Sequence, residues 1–182
     1  MLIYKCRVTG DELISDAYKL RPVIDPETKE EVEGLMECDS MMVTKGGGNI
    51  DIGAGNAFGG ANDDDEGVAD TVEKVNNVID SDLGFGLSEV PLKKIDLKEY
   101  LKTYCGAIRL LLKDDPKIEG PRVKAFTQSA PNFCKFLLTK YDDLQFFMSP
   151  AFNPDGAMVY SYYRDTTQIF VFIKEGLIEE KC

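Results

Sequence analysis

The first residues to weigh are those that could do chemistry, and the chain is selective about which it carries. Histidine is absent, which excludes Ser-His-Asp and Cys-His catalysis and any His-ligated metal. The five cysteines (Cys6, Cys38, Cys105, Cys134, Cys182) are scattered and never form Cys-x-x-Cys. That argues against a disulfide scaffold and against a zinc ribbon. Eight of the 16 glycines fall between Gly46 and Gly67, yet no Gly-x-x-x-x-Gly-Lys-Ser/Thr occurs and Gly53-x-Gly55-x-x-Phe58 misses the dinucleotide pattern. The run Asp63-Asp64-Asp65-Glu66 invites a calcium test. With Gly67 at position six of an EF-hand loop, Asn62, Asp64 and Glu66 fall at one, three and five, Asp70 at nine and Glu73 at twelve. Asn62 replaces the usual first aspartate, Glu66 is long for its place, and the upstream glycines supply no entering helix. The pattern fits a weak, loop-ordered calcium contact better than a full EF-hand.

Charge is the second chemical resource. The net charge is −11, which disfavours nonspecific nucleic-acid binding. Positive charge is concentrated: Lys93, Lys94, Lys98, Lys102, Arg109, Lys113, Lys117, Arg122 and Lys124 stand against Asp96, Glu99, Asp114, Asp115 and Glu119. That leaves +4 (9 − 5) on this segment and −15 (−11 − 4) elsewhere. Two readings stay open: the solvated face of amphipathic helices, or a basic face, with Lys98, Lys102 and Arg109 at its centre, for an acidic partner. Cys105 and Cys134 read as small hydrophobes inside helices. Cys182, the terminal residue, reads as an exposed thiol able to pair two chains. Arg164 reads as the structural partner of a carboxylate.

The elements that must carry these residues form one domain, 1–182. The run Gln145–Lys174 is its centre: aromatic and β-branched runs predict an antiparallel meander, reversed at Asn153-Pro154-Asp155-Gly156 and at Asp165-Thr166-Thr167. Ile169–Ile173 is apolar on both faces, so it belongs under cover on both sides. Leu2–Val8 predicts a first strand, Leu13–Asp16 only a short excursion, Val23-Ile24 between two prolines an edge strand, and Glu31–Met36 a strand weakened or bulged at Gly34. Residues 45–70 predict a mobile loop, with 68–83 returning to the sheet as strand or helix. A helical hairpin is predicted over 96–140. Its first helix is capped by Asp96 with Glu99 and striped by Leu97, Leu101, Tyr104, Ile108 and Leu111. Its second starts at Gly120-Pro121 and is striped by Val123, Phe126, Ala130, Phe133 and Leu137, with a kink or break at Pro131. No N-terminal run resembles a signal peptide and no apolar run reaches the length of a membrane helix. The expectation is a soluble cytosolic protein with a binding or regulatory role.

Leu2-Ile3-Tyr4, Asp11-Glu12, Val32-Glu33-Gly34, Gly48-Asn49-Ile50-Asp51, Gly55-Asn56-Ala57, Gln145-Phe146-Phe147, Asn153–Gly156, Tyr163-Arg164 and the closing Glu180-Lys181-Cys182 together resemble the translationally controlled tumour protein family from end to end. The resemblance implies an α+β, mainly β fold: a β-tent of antiparallel sheets with a projecting helical hairpin and a mobile acidic loop. It implies a non-enzymatic regulator of a Ras-like, Rheb-type small GTPase, or a calcium-responsive protein that binds tubulin and microtubules and engages anti-apoptotic Bcl-2-family proteins. No obligatory cofactor, nucleic acid or membrane insertion is expected. By position, Glu12 with Asp11 matches the GTPase contact, Asn56 and Gln145 the vicinity of a calcium site, and Cys182 the dimer-forming cysteine of an otherwise monomeric chain. The expected localisation is cytoplasmic, with nuclear or non-classically secreted pools left open. Two departures carry consequences. Phe58 and Gly59 follow Ala57 where a phosphorylatable serine is usual, and Pro150 stands where a second glutamate of the GTPase contact is usual.

Overall fold

The computed structural model describes residues 1–45 and 73–181. Its fold is α+β, with two long helices set on antiparallel sheets. The two chain ends build the first sheet. β1 (Leu2–Cys6) is flanked by β2 (Glu12–Ser15) and by β11 (Leu177–Lys181), with Leu2 opposite Lys181 and Cys6 opposite Leu177. Leu13, Ile14 and Ser15 are buried, so the segment expected as a short excursion is a strand of the core. Four residues between polar neighbours are too few to declare a period. Pairing with β1 decides the matter.

The second sheet has six strands. β3 (Arg21–Ile24) lies at one edge, followed by β4 (Glu31–Asp39), β10 (Thr167–Ile173), β9 (Val159–Arg164), β8 (Gln145–Met148) and β7 (Ser88–Val90). β8, β9 and β10 form the meander expected from Gln145–Lys174, and β10 is central. Ile169–Ile173 is buried at every position. The edge place of β3 suits Pro22, which lacks a ladder donor. A separate two-stranded ribbon pairs β5 (Met42–Lys45) with β6 (Glu73–Asn76), so the returning segment is a strand, though not one of the large sheet.

α1 (Lys94–Asp114) and α2 (Gly120–Thr139) form the hairpin. α1 starts before the expected cap. Lys93 is the capping residue, the first helical bond runs from the Leu97 N–H to the Lys93 carbonyl at 2.9 Å, and Asp96 lies in the first turn, where it complements the helix dipole. The buried stripe is Leu97, Leu101, Tyr104, Ile108 and Leu112. Leu111, expected there, is 39% exposed, because a helix of 3.6 residues per turn brings 112, not 111, back under 108. In α2 the buried stripe is Phe126, Ser129, Phe133 and Leu137. The helix runs unbroken through Pro131, so of the expected kink or break there is no break. Pro131 is exposed, so water can satisfy the carbonyl it leaves free, while buried Phe126, Phe133 and Leu137 hold the turns on either side.

Two glycines seat the hairpin. Gly34 adopts φ +97° within the register shift between β3 and β4, and a Cβ there would lie 2.6 Å from Phe133 Cδ2. The expected bulge is therefore also the seat for the α2 aromatic. Gly176 likewise leaves room for the Tyr104 hydroxyl of α1. Among the described residues, no helix is long and apolar enough to cross a membrane.

Candidate functional site

Three turns converge at one end of the sheets. After β1 the chain reverses through Thr9 and Gly10: the Gly10 N–H donates to the Cys6 carbonyl and the Cys6 N–H to the Asp11 carbonyl, both at 2.8 Å. Asp11 is then fixed from two sides. Thr9 Oγ1 and Ser149 Oγ both donate to Asp11 Oδ2, at 2.7 and 2.8 Å. Ser149 opens a second reversal, closed by the Phe152 N–H on the Ser149 carbonyl at 3.0 Å. The third follows at once, with the Gly156 N–H on the Asn153 carbonyl and the Asp155 N–H on Asn153 Oδ1, both at 2.9 Å. The Ala157 N–H donates to Cys6 Sγ at 3.2 Å, and Thr9 packs against Gly156. The turns therefore form one body, although Asp11 and Ser149 are 138 positions apart.

That body exposes Glu12, Pro150, Phe152 and Asp155. Glu12 begins β2 opposite Lys5, and among the described residues its carboxylate makes no side-chain hydrogen bond. The structure thus brings Glu12 and Pro150, distant in sequence, to one surface through the Ser149–Asp11 bond. Phe152 is the member that sequence reasoning missed. It is 51% exposed and has φ +51°, a conformation uncommon for a bulky residue and imposed here by the turn. The available signal was an aromatic residue directly before Asn153-Pro154-Asp155-Gly156.

The second candidate lies on the hairpin. Lys94, Lys98 and Lys102 recur at four-residue intervals along α1 and, with Lys135 of α2, rim a groove of about 380 Å³ floored by Leu101, Cys134 and Leu138. Arg109 is exposed two turns further along α1 and is not part of the groove. The structure brings Lys98 and Lys102 together and leaves Arg109 on the same side of the helix, by seven-residue spacing.

Of the expected calcium residues, Gln145 and Glu73 are among the described ones. Asn56, Asp64 and Glu66 lie outside the described residues, as does Cys182. Glu73 starts β6 opposite Lys45, where an EF-hand would begin its exiting helix. Both ends of the Gln145 amide are engaged: Nε2 donates to Glu89 Oε2 at 3.3 Å and Oε1 accepts from Gln168 Nε2 at 3.4 Å. Gln168 continues to Ser161 Oγ at 3.0 Å, and Asn76 of the ribbon donates to Gln168 Oε1 at 3.2 Å and to Ser40 Oγ at 2.8 Å. Gln145 therefore belongs to a network joining the ribbon to the sheet. Among the described residues no cluster of three or more carboxylates or cysteines is placed to hold a metal.

Arg164 has the carboxylate partner expected of it. Glu37, 2% exposed, accepts from Arg21 Nε and Nη2 at 3.1 and 2.8 Å, from Tyr162 Oη at 2.7 Å and from Arg164 Nη2 at 3.3 Å. The buried charge is compensated twice, which ties β3, β4 and β9 together.

Comparisons with known proteins agree along the whole chain. The sequence model described as translationally controlled tumour protein matches residues 1–178. A translationally-controlled tumor protein homolog of Schizosaccharomyces pombe is 36% identical over 184 residues, covering 100% of this chain and 99% of that protein. One of Neurospora crassa is 38% identical over 185 residues, with the same coverage. Among solved structures, the translationally controlled tumor-associated protein of Schizosaccharomyces pombe superposes with a TM-score of 0.73 at 36% identity, covering 100% of both chains. The translationally-controlled tumor protein of Caenorhabditis elegans gives 0.60 at 25% identity, covering 100% of this chain and 99% of that one.

Proposed function

The chain belongs to the translationally controlled tumour protein family, and from that premise we propose that it is a non-enzymatic regulator of a Ras-like, Rheb-type small GTPase, acting through the Glu12 surface. The observation that carries this reading is the Ser149–Asp11 hydrogen bond of 2.8 Å, which fixes the turn bearing Glu12 to the turn bearing Phe152. An exposed aromatic and an exposed carboxylate on two joined turns are what an interface needs: an anchor to exclude water and a charge to set register. GTPases hold nucleotide through Mg²⁺ and a phosphate-loop lysine. A carboxylate delivered near that lysine competes for its charge and loosens the nucleotide. Pro150 removes a second carboxylate from the same surface, so exchange is slow.

The test is release of labelled nucleotide from a purified Rheb-type GTPase, with and without this protein. Glu12→Lys is expected to weaken the effect by at least about 1 kcal/mol, roughly fivefold, with little change in stability. Equal release rates for wild type and Glu12→Lys would remove Glu12 from the functional surface.

A second reading rests on a different observation, the four lysines around the hairpin groove. In it the hairpin binds acidic tails such as those of tubulin. Such binding weakens steeply with ionic strength, whereas a shape-matched GTPase contact weakens less, so a salt titration separates the two.

A further inference from the structure

Cys105 of α1 and Cys134 of α2 meet across the hairpin, with their sulfur atoms 3.6 Å apart and one thiol donating to the other. Both are free and half-buried. Cys134 lies on the floor of the lysine-rimmed groove, so a small oxidant can reach it from solvent. The other described cysteines, Cys6 and Cys38, are buried.

We propose that Cys105 and Cys134 are a dithiol oxidation site that closes to an intramolecular disulfide across the hairpin when a hydroperoxide enters the lysine-rimmed groove. The sulfur atoms already touch. Forming the bond requires them to close from 3.6 Å to about 2.05 Å, by rotation of two cysteine side chains on packed helices. The two thiols have unequal roles. Their shared hydrogen bond holds the Cys134 thiol below its ordinary value and pushes Cys105 above its own, with burial adding to the latter. Lys94, Lys98, Lys102 and Lys135 line the same groove and place positive charge on the surface from which the oxidant approaches Cys134.

In the first step the Cys134 thiolate attacks one peroxide oxygen and the O–O bond breaks. Cys134 becomes a sulfenic acid, and the departing hydroxide takes a proton to become water. In the second step Cys105 sulfur attacks the sulfenic sulfur, the S–OH bond breaks, and the Cys105 proton leaves with the hydroxyl as a second water. Two thiols lose two electrons and the peroxide gains them. The product ties α1 to α2 and restricts the unfolded chain. It rests on the cysteine pair alone and stands or falls independently of the Glu12 surface.

Hydrogen peroxide added to the folded full-length chain tests this. In a Cys182→Ser background four thiols remain (five cysteines less one), and thiol titration is expected to fall to two. Proteolysis without reduction should yield one linked pair carrying Cys105 and Cys134, which dithiothreitol separates. With Cys105→Ser, Cys134 should accumulate as a sulfenic acid that dimedone traps. With Cys134→Ser, Cys105 should stay a thiol. Lys98→Glu with Lys102→Glu should slow oxidation several-fold. The proposal is overturned if peroxide leaves both cysteines open to alkylation, if the links formed are random among the four, or if Cys105 reacts as fast without Cys134 as with it. The wild-type peptide map decides the matter should a serine variant fail to fold.

Discussion

Replacing Gly34 by alanine is the sharpest perturbation of the seat on which the hairpin rests. At φ +97° a Cβ costs about 1–2 kcal/mol in backbone strain. The same Cβ would lie 2.6 and 2.9 Å from Phe133 Cδ2 and Cε2 and 3.3 Å from Ser129 Oγ. Phe133 is fully buried and cannot swing into solvent, so overpacking adds about 1–3 kcal/mol. Stiffening of the unfolded chain offsets about 0.4–1 kcal/mol. The net loss is about 1–4.6 kcal/mol, or roughly 2–18 °C in melting temperature for a chain of this size. Urea unfolding followed by circular dichroism measures it. A second variant locates the cause: Phe133→Leu shortens the clashing ring, so its combination with Gly34→Ala should be less destabilised than the two singles summed, by about 1–3 kcal/mol. A Gly34→Ala loss under about 0.5 kcal/mol, or strict additivity with Phe133→Leu, would refute the close-approach argument.

Acid sensitivity should be traceable to Asp80, whose carboxylate is held below its ordinary 3.8 chiefly by the Leu83 N–H, helped by the Asp82 N–H and by Lys45, against the opposing effect of burial. A lowered folded-state value means its stabilisation is complete above the ordinary value and is lost as pH falls through and below it. Urea midpoints should therefore drop less between pH 5 and pH 3 for Asp80→Asn than for wild type, and equal drops would remove Asp80 from the account. On the hairpin reading, reversing charge at Lys98, Lys102 and Arg109 should reduce co-sedimentation with tubulin while changing stability by only roughly 0.5 kcal/mol per site. Unchanged co-sedimentation would leave these side chains as a solvated face. Any calcium binding found by calorimetry should have a dissociation constant of roughly 10⁻⁴–10⁻³ M or weaker, and a submicromolar constant would reject the imperfect ligand set.

What the sequence made legible was whatever local pattern decides. The aromatic and β-branched runs of Gln145–Ile173 announce strands, and they are strands. Helical spacing announces α1 and α2, with misreadings only where propensity met packing. Leu112 displaced Leu111 because the helix period had to be followed to the last turn, and Pro131 left the helix whole because it faces water. Leu13–Ser15 was illegible because its strand exists only through pairing with β1. The closure of β1 by β11 was equally hidden, since no local signal says that Leu2 will lie opposite Lys181.

The candidate surface follows the same division. Glu12 was named through the resemblance and Asn153–Gly156 through its turn residues, but nothing in either stretch says that they meet. Their meeting depends on Ser149, an unremarkable serine between a strand and a proline, whose hydroxyl reaches Asp11 at 2.8 Å. Once buried, that hydroxyl needs a partner, and the half-buried Asp11 carboxylate, already held by Thr9, supplies it, which joins two turns that the chain order keeps apart. The adjoining Phe152 is then held exposed in a strained conformation. A binding surface assembled in this way is set by closure of the sheets, so its contour is decided by the fold, while its charge was already written in Asp11 and Glu12.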